Sequence, residues 1–299
     1  MNVNGKSIEL ALDCRCQLGE GPIWDDRVGR LLFVDINGHQ IHAFDPVSRA
    51  HETFDTGEYV SAIALHERGG YLITLQHDFA RLDLETGVLT RVASVETPPV
   101  DTRFNDGYVD ARGRFWAGTM SLVGVPRQGA LYRLQHRGGR HEVVPMFDEV
   151  TTSNGIDWSG DGRRMYYVDT GTRRIDVFDV DPESGDISGR ATLVEIPEAD
   201  GKPDGLIVDA DGFLWVALWQ GSAVRRYAPD GRIDRHVEMP VSCPTKCAFG
   251  GAGLDTLYVT SARTALSPVE REEQPHAGSV FMLKPGVRGR AAHRFAQST

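Results

Sequence analysis

A chain of 299 residues, 40% of them hydrophobic, can bury a large core, either as two ordinary domains or as one large all-β domain. Its formal net charge of -10, without clusters of Lys and Arg, excludes nucleic acid and anionic membrane as natural partners, because both require a basic surface. A small neutral or weakly charged ligand suits this balance.

Residues 1–12 are polar and lack the apolar run of a signal peptide, and no stretch approaches the roughly 20 apolar residues of a membrane span. A cytoplasmic protein is expected. Residues 8–14 have strand character and precede the first full repeat. Cys14 and Cys16 lie near one end of the chain and Cys243 and Cys247 near the other. Neither pair has the C-x2-C spacing of a zinc site, and four cysteines in so long a chain make no disulfide framework, so they read as buried thiols.

From there one pattern recurs: a Gly or Asp turn, an apolar strand, a second turn ending in Gly, and an aromatic-rich strand. Its clearest copies are residues 105–119 (NDGYVDARGRFWAGT), 154–169 (NGIDWSGDGRRMYYVD) and 204–219 (DGLIVDADGFLWVALW). Strands of the type xxIxxFD occur at 40–45, 79–83, 130–134, 174–179, 223–227 and 279–283. Six such strands, in units of roughly 40 to 50 residues, are the signature of four-stranded propeller blades. A β-sandwich would also show short strands and turns but not the repetition, and no stretch sustains helical periodicity beyond about two turns. The expected fold is all-β, a six-bladed β-propeller formed by the whole chain, 1–299, as a single domain. Residues 8–14 should join the 279–283 strand as the outer strand of the last blade, closing the ring and removing a free edge. The segments 121–128 and 267–276 are long for propeller connections and are candidates either to overhang the mouth of the central channel or to serve only as solvated connections.

Set in register on Gly113, Gly162 and Gly212, the copies place Asn105, Asn154 and Asp204 at one equivalent position, about eight residues earlier. Glu20 joins them if the first blade carries one extra turn residue. The first strand of each blade lines the channel, so these side chains form a ring at one end. Two carboxylates and two amides facing each other repel unless a cation lies between them, and their oxygens suit a hard divalent ion. The position falls near Ala62 and Thr245 in the other blades, which are poor ligands, leaving open coordination positions. The competing reading is that Asn-Gly and Asp-Gly are only turn dipeptides repeated with the blades.

The stretches LGEGPIW from Leu18, RFNDGYVDARGRFWAGTM from Arg103, TSNGIDWS from Thr152, PDGLIVDADGFLWVA from Pro203 and CAFGG…LYVTSA from Cys247 resemble the gluconolactonase family, which includes senescence marker protein 30, or regucalcin. The resemblance spans nearly the whole chain in order. It implies a six-bladed propeller holding one divalent metal ion (Ca, Zn, Mg, Mn or Fe(II)), with Glu20, Asn154 and Asp204 as its ligands and with Arg103 and Asn105 facing substrate hydroxyls and the metal-side water. Vertebrate members carry an acidic residue after Gly-Thr-Met that touches the sugar. This chain has Ser121 there, which hydrogen-bonds a hydroxyl but brings no charge, so substrate preference does not carry over.

The implied reaction is hydrolysis of a sugar-acid lactone, with the metal polarising the carbonyl and Asp204 taking a proton from the attacking water. Two alternatives stand beside it: a metal-binding propeller scaffold without activity, and a hydrolase of other esters or lactones. Among the remaining candidates, His39, His42, His66 and His77 lack ligand spacing, and no Ser lies in a G-x-S-x-G elbow. Trp116, Trp158 and Trp215 read as core, while Trp24 and Trp219 are candidates to edge the channel, Trp219 to stack on a sugar ring.

Overall fold

The computed structural model describes residues 2–3, 6–96, 98–99 and 101–297. The glycines that set the repeats in register sit in one recurring turn. Gly113, Gly162 and Gly212 have φ of 75°, 70° and 83°, left-handed conformations that side chains other than glycine adopt reluctantly. Their amides close the turns onto Asp110, Ser159 and Asp209. Each turn returns the chain antiparallel, and two further strands complete a four-stranded sheet.

Six such sheets follow one another. Their inner strands are Gly19–Asp25, Ala62–His66, Thr102–Val109, Ser153–Trp158, Lys202–Val208 and Pro244–Gly250, which adjoin around a closed ring. The protein is a six-bladed β-propeller. The six xxIxxFD segments all become third strands: Gln40–Phe44, Asp78–Asp83, Gly129–Arg137, Arg174–Val180, Ala223–Tyr227 and Val280–Leu283. The strand Glu9–Leu12 pairs antiparallel with Val280–Leu283, Leu12 opposite Val280 and Leu10 opposite Phe281, so the outer strand of the sixth blade comes from the start of the chain.

The core of the described residues lies between the blades, one apolar cluster at each interface. Trp116 meets Trp158 edge-on between the third and fourth blades, and Trp215 meets Phe249 between the fifth and sixth. The indoles of Trp116 and Trp215 donate to Asp110 and Asp209 at 2.9 and 3.0 Å. Both stand on second strands, whereas Trp158 ends an inner strand. Trp24 is also core: it stacks on Tyr258 and does not reach the channel mouth.

One feature has no counterpart in the repeat pattern. After the last blade strand the chain runs across the propeller at the end that carries the first turns. Gly289 N–H donates to Leu254 O, the Arg288 carbonyl accepts from Ala210 N–H, and Ala296 N–H donates to Gly113 O. Arg290 donates to Val208 O, Asp157 Oδ1 and Trp158 O. Arg294–Phe295 then adds a parallel strand to Ala62–His66, with Phe295 fully buried. Residues 267–276 contain a short helix, Pro268–Glu273, capped by Ser267. Among the described residues no helix is long and apolar enough to cross a membrane.

Candidate metal and substrate site

The side chains of the ring project where the inner strands break register. Pairing with the second strand shifts between Glu20 and Ile23, Phe104 and Asp106, Ser153 and Ile156, Pro203 and Leu206, and Pro244 and Cys247. In the second blade Ala62 to Leu65 pair without interruption. A β-bulge leaves a residue outside the ladder and re-aims its side chain. The bulges leave Asn105, Asn154 and Asp204 outside the ladder, Glu20 is the last paired residue before its own bulge, opposite Val34, and the unbulged inner strand of the second blade places no residue in the cleft. Thr245 lies in the fifth bulge, but its hydroxyl donates to Gly19 O at 2.5 Å and meets Thr260 Oγ1 at 2.8 Å.

These residues line a cleft of about 470 Å³ that brings together Glu20, Arg103, Asn105, Asn154 and Asp204, with Tyr59, Thr170, Lys202 and Trp219 around them. Trp219 therefore edges the mouth as expected from its position. Leu122 lies on the wall and is the only part of 121–128 there, and no residue of 267–276 lines the cleft. Ser121 is apart from it. Its buried hydroxyl accepts the Val123 and Val125 amides at 3.3 and 3.2 Å, which shapes the loop, while Met120 and Leu122 on either side face the cleft. Two wider hollows, about 710 and 850 Å³, contain none of the ring residues.

The two amides differ in what they have left to offer. Asn105 is engaged at both ends: its Oδ1 accepts from Arg103 Nη1 at 2.7 Å and its Nδ2 donates to Ser153 O at 2.8 Å. Asn154 donates through Nδ2 to Thr170 Oγ1 at 3.0 Å, and its buried Oδ1 has no partner. Thr170 in turn donates to Pro203 O at 2.7 Å, which links Asn154 to the residue before Asp204. Arg103 is buried over the Tyr59 ring at 5.7 Å, and desolvation brings its guanidinium down to about 10.

The carboxylates are under electrostatic stress. Burial, then the neighbouring Asp106, raises Glu20 to about 8, against the opposing pull of Lys246 and the Gly21 amide. Asp204 is raised well above the usual carboxylate range by burial, then by Glu20 and Asp106. Below them Lys246 pairs with Asp106, both fully buried, while the second Asp106 oxygen has no partner. Among the described residues no three His, Cys, Asp or Glu side chains form a metal cluster by themselves. A metal here relies on mixed ligands, two carboxylates and an amide. The donor set fits: an orphaned amide oxygen beside two buried, mutually repelling carboxylates is what a hard divalent cation would relieve.

Sequence reasoning missed Tyr59, Thr170 and Lys202. They belong to connections or strand ends outside the aligned position, so the repeat gave no signal for them.

Residues 18–263 match the family model described as SMP-30/Gluconolactonase/LRE-like region. The chain is 39% identical over 273 residues to the Bacillus subtilis (strain 168) protein YvrE, a candidate sugar lactone lactonase, covering 91% of this chain and 92% of that one. It is 38% identical to regucalcin of Oryctolagus cuniculus over 296 residues, 97% and 98% of the two chains. The crystal structure of a calcium-binding regucalcin from Agrobacterium tumefaciens str. C58 superposes with a TM-score of 0.92 at 29% identity, covering 97% and 98%.

Proposed function

This chain belongs to the SMP-30/gluconolactonase/LRE-like family, and from that membership and the ring we propose that it is a lactonase opening a sugar-acid lactone to the free acid. Glu20, Asn154 and Asp204 would hold one divalent ion, of the Ca, Zn, Mg, Mn or Fe(II) type. A divalent ion bound there supplies electrophilic polarisation of the lactone carbonyl. The observation that carries the reading is the free Asn154 Oδ1 buried beside two stressed carboxylates, in the same cleft as Arg103 and Asn105.

The residues divide the work. Arg103, fixed by its bonds to Phe104 O and Asn105 Oδ1, presents its remaining N–H donors to ring hydroxyls. Trp219 offers an apolar face to the sugar ring. Asp204 accepts a proton from a water whose oxygen adds to the carbonyl carbon. The acyl C–O bond of the ring then breaks, and the ring oxygen leaves as a hydroxyl after taking up a proton. Ser121, turned into its own loop, shapes the wall through Leu122. The chain works as one domain because the site draws on the first, third, fourth and fifth blades. Its four free thiols suit a reducing, cytoplasmic setting.

The test is a panel of aldonolactones of five- and six-membered ring size, followed by acid release, with metal-stripped protein reloaded separately with Ca, Mg, Mn, Zn and Fe(II). Ring opening well above the metal-free rate for at least one pairing is expected. Uniformly uncatalysed rates across the panel would overturn the reading.

A further inference from the structure

At the interface of the sixth and first blades, between the closing strand and the inner strand, the chain reads Cys14–Arg15–Cys16. Residues i and i+2 of an extended strand carry their side chains on one face but too far apart for sulfur contact. Here Arg15 has φ of 51°, a left-handed conformation uncommon outside glycine. A fork of two 3.0 Å bonds to Asp13 holds it there, and Ser279 Oγ anchors Asp13 at 3.0 Å. The Cys16 amide is fixed to Gly278 O at 2.8 Å. The bend brings the two sulfurs to 3.6 Å, Cys16 donating to Cys14.

The surroundings are asymmetric. Cys14 is partly exposed and Cys16 buried. His42 Nε2 lies 3.6 Å from the Cys16 sulfur. The same imidazole is clamped between Phe33, stacked at 4.6 Å, and His51, whose Nε2 is 2.9 Å from His42 Nδ1. A half-exposed cysteine, whose sulfur donates to Gly278 O at 3.4 Å, a buried second sulfur and an acceptor for its proton are the parts of a peroxidatic and resolving pair. The hydrogen bond between them lowers the Cys14 thiol and, with burial, raises that of Cys16, which makes Cys14 the first to react.

We propose that Cys14 and Cys16 form a redox-active dithiol that hydroperoxides oxidise to an intramolecular disulfide, Cys14 reacting first and Cys16 resolving with His42 as proton acceptor. The Cys14 thiolate attacks one peroxide oxygen, the O–O bond breaks, and the other oxygen leaves as water after taking up a proton, giving a sulfenic acid. The Cys16 sulfur attacks the Cys14 sulfur and displaces hydroxide, while its proton passes through His42 Nε2 to that hydroxide, which leaves as a second water. Two thiols and one hydrogen peroxide yield one disulfide and two waters, and a dithiol reductant reverses the change.

Trypsin cuts after Arg15, so the disulfide would hold peptides 7–15 and 16–27 together. Full-length protein treated with a few equivalents of hydrogen peroxide, alkylated and digested should yield this joined pair, separable by dithiothreitol. In Cys16→Ser, dimedone should label Cys14; in Cys14→Ser it should leave Cys16 unlabelled. The double variant Cys243→Ser/Cys247→Ser should form the linkage as wild type does. His42→Phe should slow disulfide closure roughly tenfold or more while leaving dimedone capture of Cys14 in the Cys16→Ser background unchanged. Accumulation of Cys14 sulfinic acid with Cys16 still alkylatable, or linkage of Cys14 to a second copy of the chain, would overturn the proposal.

Discussion

Asn154 separates the chemistry of the ring from its architecture. Its Nδ2 is held by Thr170 while its Oδ1 is buried and free, and an unmade hydrogen bond at a buried oxygen costs about 1–3 kcal/mol. A cation at that oxygen removes the cost and at the same time neutralises the repulsion that raises Glu20 and Asp204. Glu20→Gln replaces an anionic ligand by a neutral one. Calorimetric titration of metal-stripped protein should show affinity falling by at least about tenfold, and unchanged affinity would place the ion elsewhere. Asp204→Asn keeps the shape and an oxygen but removes the proton acceptor. Turnover at saturating metal should fall by roughly 10² to 10⁴, and adding more metal should not restore it; recovery to the wild-type rate would reduce Asp204 to a ligand. Four of the five polar residues at the centre of the cleft were legible from register alone, because each precedes its turn glycine by a near-constant interval. Arg103 came only through the resemblance. The state of each amide was not legible, since it depends on partners such as Ser153 and Thr170 in neighbouring elements.

At the scale of elements, the bulge is the device that makes the site. Four of the five interrupted inner strands deliver a side chain to the cleft, the fifth turns Thr245 to Gly19 and Lys246 to Asp106, and the uninterrupted strand delivers none. The third strands and the closing strand were readable because alternation and turn residues are local properties. The segment from Pro285 to Gln297 was not, because it carries no repeat and its bonds are all to distant parts of the chain. Phe295 is its anchor, packed at 5.7 Å from His66 and 5.8 Å from His141. Phe295→Ala should destabilise the protein by about 3–5 kcal/mol, seen as a lower urea midpoint with unchanged metal affinity. A shift within error would mean that the tail adds little to the ring.

For the molecule as a whole, acid should be the weaker flank of these buried imidazoles. Burial, then His51, brings His42 down to about 4, and burial does the same to His66. An unfolded histidine titrates near 6.5, so between that value and about 4 the unfolded state binds more protons, and folding stability falls as pH drops through the window. His42→Phe should flatten that fall relative to wild type in urea titrations at pH 7.5, 6, 5 and 4.5; parallel curves would show that His42 is not one of the groups responsible.

The tail that crosses the turn end of the ring has a kinetic meaning as well as a structural one. With the tail tied across that end, the proposed reaction would use the mouth edged by Trp219 both for the entering reactant and for the leaving product. On the proposed reaction the visitor arrives neutral and departs as a carboxylate, inside a chain whose own charge is -10. With the proposed ion in place, Arg103 and Lys202 outweigh Glu20 and Asp204 at the mouth, so the local field would hold the acid back, and salt, by screening it, should make the acid a poorer competitor for the doorway.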